Sequence, residues 1–165
     1  MCFAVGLDLS LSCTGVAVID DEGILVTTAA IKTKACNGVR GRVGRYDQLS
    51  KQIVSIINSY SPCDVLIEGY SFGSKGRGQI DRAESGGVIR HQIITQCPGV
   101  RMIDEIAPLS LQKEVTGYGG GKGKEKKKAM KDAVEEVYGE LGYKTSDQYD
   151  AVGLALVLWW RENSE

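Results

Sequence analysis

The sequence has few of the residues that bind zinc or close disulfides. Its 165 residues include one histidine and five cysteines, and no two cysteines form a CxxC pair. The odd number and wide spacing of the cysteines argue against a disulfide framework and against a zinc knuckle. We therefore expect reduced cysteines, most of them buried as small hydrophobic side chains.

Long hydrophobic runs are also absent. The longest apolar run, residues 151–160, is far shorter than the roughly 18 residues that indicate a membrane span. The first residues lack the basic region of a signal peptide and place Asp8 within an apolar stretch. With only 3 prolines and a length typical of one domain, the sequence predicts a single globular domain over residues 1–165, located in the cytosol.

The net charge is only −1, but the charges are unevenly distributed along the chain. Residues 111–131 hold seven lysines against two glutamates, and residues 132–150 hold six acids against one lysine. A second basic stretch covers residues 32–51. Segregated charge says more about binding partners than the sum does, so a nucleic-acid partner is compatible with the near-neutral total.

Hydrophobic periodicity predicts an α/β protein. Three short β-branched segments separated by Asp/Gly turns favour an antiparallel meander, and a helix before the fourth strand favours a parallel crossover. The result is a mixed five-stranded sheet flanked by helices, with a glycine-rich loop over residues 118–124. The predicted strands are 3–9, 14–20, 24–31, 65–70 and 100–107, and the predicted helices are 46–61, 79–96, one that begins at Pro108, 125–141 and 146–161.

Four acidic residues occupy positions that are typical of a metal-binding site. Asp8 and Glu68 lie in apolar strand segments, where a buried carboxylate is costly without a partner. Asp147 and Asp150 are three residues apart at the start of the last helix and therefore share a face. Four carboxylates without a nearby histidine or cysteine pair describe an oxygen-only site that suits Mg²⁺ or Mn²⁺, and two such ions can hydrolyse a phosphodiester.

Each acid also has an ordinary structural explanation. Asp147 and Asp150 alone are typical capping residues of a helix N-terminus, and Asp8 alone could end a strand in a turn. Glu68 is the hardest to explain in this way, because a glutamate between apolar strand residues seldom lacks a partner. The joint occurrence of the four acids favours the functional interpretation.

The order of the motifs resembles that of RuvC-type Holliday-junction resolvases, which have a ribonuclease H-like fold. The resemblance covers nearly the whole chain, and residues 68–78 also resemble phage-encoded members, which suggests a bacterial or phage-infected host cytosol. The segments that carry it are residues 6–16, 67–70, 108–117 and 147–151.

The resemblance implies roles for individual residues. Asp8, Glu68, Asp147 and Asp150 correspond to the four metal-binding catalytic acids, and Lys113 and Lys124 to lysines that approach the scissile phosphate. An aromatic residue stacks at the junction centre, and Phe72 is preferred to Tyr70 because it leads into the glycine-rich segment. The alternative role of the lysines is to form a solvated basic face. For Lys126–Lys128 the sequence favours this role and DNA contact equally. The predicted DNA-binding residues are Tyr70, Phe72, Lys75, Arg77, Lys113, Lys122, Lys124 and Lys126.

The resemblance also implies a homodimer, since two symmetrical nicks need two sites. Helix 79–96 is the expected dimer surface, and its alternative role is packing on its own sheet. His91 is expected at the surface or interface rather than as a metal ligand. The residues that suggest close helix approach are Ala83, Gly86, Gly87, Arg90 and His91.

The expected function is a metal-dependent endodeoxyribonuclease that resolves four-way junctions and leaves 5′-phosphate ends. One alternative is a less selective nuclease that acts on flaps, forks or RNA–DNA hybrids. Another is a protein that binds branched DNA without cutting it. An actin-like phosphotransferase shares the first hairpin but needs two such subdomains, which this length does not supply.

Overall fold

The computed structural model describes residues 2–70 and 77–164, without the side chain of Arg77. It contains every predicted strand and helix. In chain order the elements are β1 Phe3–Asp8, β2 Cys13–Ile19, β3 Leu25–Lys32, α1 Gly38–Ser59, β4 Cys63–Glu68, α2 Arg77–Gln96, β5 Val100–Ile106, α3 Pro108–Thr116, α4 Lys124–Tyr138 and α5 Ser146–Asn163.

The five strands form one mixed sheet in the order β3-β2-β1-β4-β5. β1, β2 and β3 pair antiparallel as a meander, whereas β4 lies parallel to β1 and β5 lies parallel to β4. The predicted mixed sheet is therefore confirmed. Because β1 and β4 are neighbours and run in the same direction, their carboxyl ends meet at one edge of the sheet.

Alternate strand residues supply two apolar layers, as the two-residue period of a strand requires. Ala4 and Leu66 face the layer that contains α5, and Val5 and Ile67 face the layer that contains α1 and α2. All five cysteines are free, and the burial of Cys13, Cys63 and Cys97 confirms the expectation that most of them are buried. Within residues 2–70 and 77–164 no helix is long and apolar enough to cross a bilayer.

Helix α1 begins at Gly38, eight residues before the predicted start at Tyr46. None of residues 38–45 is buried, so this part of the helix has no apolar face for the sequence pattern to show. Arg45 fastens it to the sheet, because its Nε donates a hydrogen bond to Thr33 Oγ1 at 2.7 Å and its Nη2 donates to the carbonyl oxygens of Leu11 and Thr33. Helix α4 in turn ends three residues early, at Tyr138, before Gly139 with a φ of 78°.

Candidate active site

Two of the four acids end adjacent parallel strands. Asp8 is the last residue of β1 and Glu68 the last residue of β4, and the preceding residues Leu7 and Ile67 are paired in the register. By the strand period, Asp8 and Glu68 lie on the same face as Gly6 and Leu66, which is the face that packs against α5. The sheet therefore places both carboxylates side by side, under the first turns of α5.

Helix α5 reaches these strand ends because two glycines leave room for its backbone. A Cβ at Gly15 would lie 2.5 Å from the carbonyl carbon of Asp147, and one at Gly6 would lie 2.5 Å from the backbone nitrogen of Ala155. Gly15 pairs with Asp8 in the register of β1 and β2. The helix backbone thus rests directly on the sheet, and its first turns bring Asp147 and Asp150 to Asp8.

The four carboxylates act on one another electrostatically. Burial, followed by the charges of Glu68, Asp150 and Asp147, raises the pKa of Asp8 to about 8. Burial and the charges of Glu68 and Asp147 raise the pKa of Asp150 to about 7. Burial is also the main reason that the pKa of Glu68 is raised, with a further contribution from Asp147. The structure therefore brings the four sequence-predicted acids into one cluster with excess negative charge.

The chemistry of this cluster fits a hard divalent cation, because all four groups offer oxygen ligands and their mutual repulsion would be relieved by positive charge. In the described part of the chain, no three His, Cys, Asp or Glu side chains stand close enough together to hold a metal ion as placed. Coordination would therefore need the carboxylates to turn toward one another. The donor set fits, and the assignment of the four acids as ligands stays a prediction.

Comparisons with known proteins bear on the family resemblance and the fold of the chain. No family model matches the chain. The chain is 28% identical over 157 residues to the crossover junction endodeoxyribonuclease RuvC of Dictyoglomus thermophilum, which covers 93% of this chain and 91% of the relative. It is 28% identical over 125 residues to the RuvC of Caldicellulosiruptor saccharolyticus, with 70% and 68% covered.

Solved structures show the same fold. The chain superimposes on Thermus thermophilus RuvC in complex with a Holliday junction substrate with a TM-score of 0.79 and 14% identity, over 99% of this chain and 96% of that one. The resemblance to RuvC-type resolvases is confirmed. The ribonuclease H-like fold is confirmed with it, whereas the phage origin suggested by residues 68–78 stays a prediction.

Two basic residues act on the acid cluster of this RuvC-like chain, and the sequence singled out neither. The positive charge of Arg82 in α2 lowers the pKa of Asp8 and Glu68, although burial keeps both raised. Lys127 in α4 acts in the same way on Asp150, and its Nζ lies 3.0 Å from Ser146 Oγ. The lysine run contains Lys127, but only the position of α4 beside α5 shows which lysine of the run points at the acids.

The other predicted lysines lie on α3, just before α4 or in its first turn. Lys113 is exposed on α3, and Lys122 and Lys124 are exposed at the start of α4, whereas Lys126 is half-buried. Gln112 Nε2 donates to the carbonyl oxygen of Lys126 at 3.4 Å, which holds α3 against α4. The lysines that the RuvC resemblance implies thus share one region, and their contacts with DNA stay predictions.

Tyr70, one of the two aromatic candidates for stacking, contacts α2. The guanidinium of Arg90 lies 5.2 Å from its ring centre, and Arg90 Nη1 donates to the Tyr70 hydroxyl at 3.2 Å. Tyr70 is 36% exposed, so part of its ring is available to a ligand. Phe72, Lys75 and the side chain of Arg77 lie outside the described residues.

The expected dimer face of α2 needs correction for two residues. Gly86 is buried, and a Cβ there would lie 2.5 Å from the Tyr70 hydroxyl, so its small size serves packing within the chain. Arg90 also turns inward, toward Tyr70 and Glu105. The exposed residues of the predicted set are Ala83, Gly87 and His91.

Cys13 has a contact that the sequence did not suggest. Burial and the negative charge of Asp147 raise the pKa of its thiol. Because Cys13 begins β2, the first residue of this strand lies near one of the four acids. The sequence shows only that Cys13 lies two residues before Gly15. This spacing predicts proximity to Asp147 only when the close approach of α5 to Gly15 is known.

Proposed function

We propose that this protein is a crossover junction endodeoxyribonuclease that resolves four-way DNA junctions in recombination and repair by paired, metal-dependent nicks that leave 5′-phosphates. The observation that carries the proposal is the convergence of Asp8, Glu68, Asp147 and Asp150 from two strands and one helix. It is supported by the similarity of 93% of the chain to RuvC of Dictyoglomus thermophilum and of 70% to RuvC of Caldicellulosiruptor saccharolyticus.

In this proposal the four carboxylates hold Mg²⁺, with Mn²⁺ able to substitute. Divalent cations bound there supply Lewis-acid stabilisation of the charge that develops during phosphodiester hydrolysis. The chain contributes the geometry: the ends of β1 and β4 fix Asp8 and Glu68, and α5 fixes Asp147 and Asp150. Burial of Asp8 and partial burial of the other three acids reduce the water that would otherwise screen their charges.

DNA contacts are assigned to the lysines of α3 and of the start of α4, and to residues that follow β4. Lys113 and Lys124 are proposed to approach the scissile phosphate, and Tyr70 or Phe72 to stack on a base at the junction centre. These backbone contacts would make binding strongly dependent on salt. The remaining proposed contacts are Lys75, Arg77, Lys122 and Lys126.

A homodimer follows from the need for two cuts related by symmetry. The exposed side of α2 suits such an interface, because it combines small residues with apolar side chains of which Ile80 is 60% and Ile94 66% exposed. Ala83→Arg at its centre is expected to yield a monomer in analytical ultracentrifugation. A dimer that persists in this variant at the same concentration would contradict the assignment of α2.

The function is tested by cleavage of end-labelled DNA of one sequence built as a four-way junction, flap, fork, linear duplex and RNA–DNA hybrid, with Mg²⁺ and with EDTA. We expect symmetrical paired nicks in the junction alone, abolished by EDTA. Equal cutting of flap, fork and junction would replace the proposal with a less selective nuclease. Binding of the junction without any cutting would indicate a structural DNA-binding protein. Location in the cytosol of a bacterium or a phage-infected host is part of the proposal.

A further inference from the structure

Helix α2 presents two arginines to the candidate active site. Arg82, Gly86 and Arg90 follow one another at intervals of four residues and therefore lie on neighbouring turns of one helix face. With Glu68 and Tyr70 they line a small cavity of about 20 Å³, which is room for roughly one water-sized group. Two guanidinium groups thus border the same opening beside a predicted catalytic acid.

Arg90 is fully engaged by its own chain. Its Nε pairs with Glu105 in β5, its Nη1 donates to the Tyr70 hydroxyl, and its plane lies over the Tyr70 ring. The side chain is only 18% exposed. These contacts make Arg90 a brace between α2, β5 and the end of β4, and leave it little capacity for a ligand.

Arg82, unlike Arg90, has hydrogen-bond donors that the described residues do not use. Within the described residues its guanidinium makes no hydrogen bond and no ion pair within 4 Å, and the residue is exposed. Its charge nevertheless acts on Asp8 and Glu68, which places it beside the acid cluster. The described part of the site therefore contains a cation whose hydrogen-bond donors are unused, one helical turn from Gly86, which packs against Tyr70.

The chemistry of the reaction suggests what those donors bind. A phosphodiester that enters the cluster brings further negative charge to four carboxylates, so a cation at the entrance would favour its approach. A guanidinium binds two phosphate oxygens at once through parallel N–H groups, which fixes orientation as well as charge. The opening next to Glu68 admits a group of about the size of one oxygen.

We propose that Arg82 contacts the non-bridging oxygens of the DNA phosphate that enters the acid cluster and positions the backbone against Glu68. This inference rests on the proposed nuclease function and adds a residue to it. The competing role for Arg82 is to offset the charge of Asp8 and Glu68 without touching DNA. The two roles differ in what happens when the phosphate loses its charge.

The test is a binding cycle on an inactive Asp150→Asn background without metal. One junction carries the normal phosphate at the mapped cut position, and a matched junction carries a neutral methylphosphonate there. We expect Arg82→Gln to weaken binding of the normal junction roughly 10-fold, to reduce the slope of log K against log salt by about one, and to leave the methylphosphonate junction unaffected. Arg82→Lys should restore part of the binding.

An equal loss of affinity on both junctions, or no loss on either, would overturn the proposed contact. Arg161→Ala is the matched control, because this arginine pairs with Glu114 at the far end of α5 and should leave binding unchanged. Thermal unfolding of each variant verifies that it is folded. Cleavage of the junction by the wild-type chain is measured separately. Absence of cutting there would overturn the nuclease function, whereas the binding cycle decides the role of Arg82.

Discussion

Two groups of acids lie at opposite ends of the same sheet and differ in their partners. At the carboxyl ends of β1 and β4, Asp8 and Glu68 face other carboxylates, and Asp8 has a pKa raised to about 8 by burial and by its acidic neighbours. At the other end, Asp64 near the start of β4 is buried but pairs with Arg101 in β5. Burial opposes its ionisation, yet its interaction with the Glu162 side chain and the hydrogen bonds donated by Arg101 lower its pKa.

The difference separates a structural acid from a functional one. A buried carboxylate with a fixed cation contributes to folding, whereas four carboxylates grouped together lower the stability of the chain unless a ligand supplies positive charge. Burial of an acid in a strand is common to both ends. The candidate active site differs in that its fixed positive charges are too few to balance the negative charges of its four carboxylates.

The largest expected effect is on catalysis by the four-acid cluster at the carboxyl ends of β1 and β4. Glu68→Gln and Asp150→Asn each remove one carboxylate without changing its size, and we expect junction cleavage to fall on the order of 10³-fold because charge stabilisation in the transition state is lost. Single-turnover cleavage with saturating enzyme measures this. Full Mg²⁺-dependent nicking by either variant, with binding unchanged, would remove that acid from the site.

The next effect concerns how α5 reaches the sheet. Gly15→Ala places a methyl group against the backbone of Asp147, which cannot move without displacing the helix, so we expect a loss of about 3 kcal/mol in the free energy of unfolding. Gly44→Ala is the control, because a Cβ there meets nothing within 4 Å in an exposed part of α1 and should be neutral or slightly stabilising. Urea denaturation compares the two, and equal stability of both variants would contradict the close packing of α5.

At the opposite end of the sheet, Arg101→Gln removes the cation that pairs with Asp64, whose side chain is 3% exposed. We expect a loss of about 1–2 kcal/mol, moderated because Arg101 itself is half exposed to solvent. Junction cleavage at a temperature where the variant is folded should be unchanged. A loss of cleavage in the folded variant would show that this end of the sheet also serves the reaction.

The smallest effect is a dependence of stability on pH in the absence of metal. The native pKa of Asp8 lies above its unfolded value of 3.8, so the native state binds more protons between about pH 4 and 8 and its stability falls as the pH rises through this window. For Asp64, whose native pKa is lowered, stability is instead lost as the pH falls below the unfolded value. Thermal unfolding in EDTA from pH 5 to 8 should show declining stability for the wild type and a flatter profile for Asp8→Asn. An unchanged profile would contradict the raised pKa.

The sequence was sufficient to predict that the four acids lie together, since a glutamate inside an apolar strand and two aspartates on one helix face are visible without a structure. The same reasoning overlooked Asp64, because the predicted fourth strand began at Val65, while β4 begins at Cys63. Even with the right boundary the sequence could not have told Asp64 from Glu68. That distinction depends on Arg101, which lies on another strand.

Other parts of the site depend on distances that one chain segment cannot reveal. Lys127 is one of several lysines in a run, and only the packing of α4 beside α5 selects it. Arg82 has no motif around it, and its position near Asp8 follows from how α2 lies along the sheet. The polar first turns of α1 were missed because they are held by hydrogen bonds of Arg45 rather than by apolar contacts.

The most direct test compares Asp8→Asn with Asp64→Asn, which make the same change in two neighbouring strands at opposite ends of the sheet. Junction cleavage per folded molecule is measured in Mg²⁺, and the melting temperature of each variant is measured in EDTA at pH 8. We expect that Asp8→Asn does not cut but melts a few degrees higher than the wild type, which corresponds to about 1 kcal/mol, while Asp64→Asn melts lower and still cuts. Cleavage that survives in Asp8→Asn, or is lost in folded Asp64→Asn, would contradict the separation of the two ends.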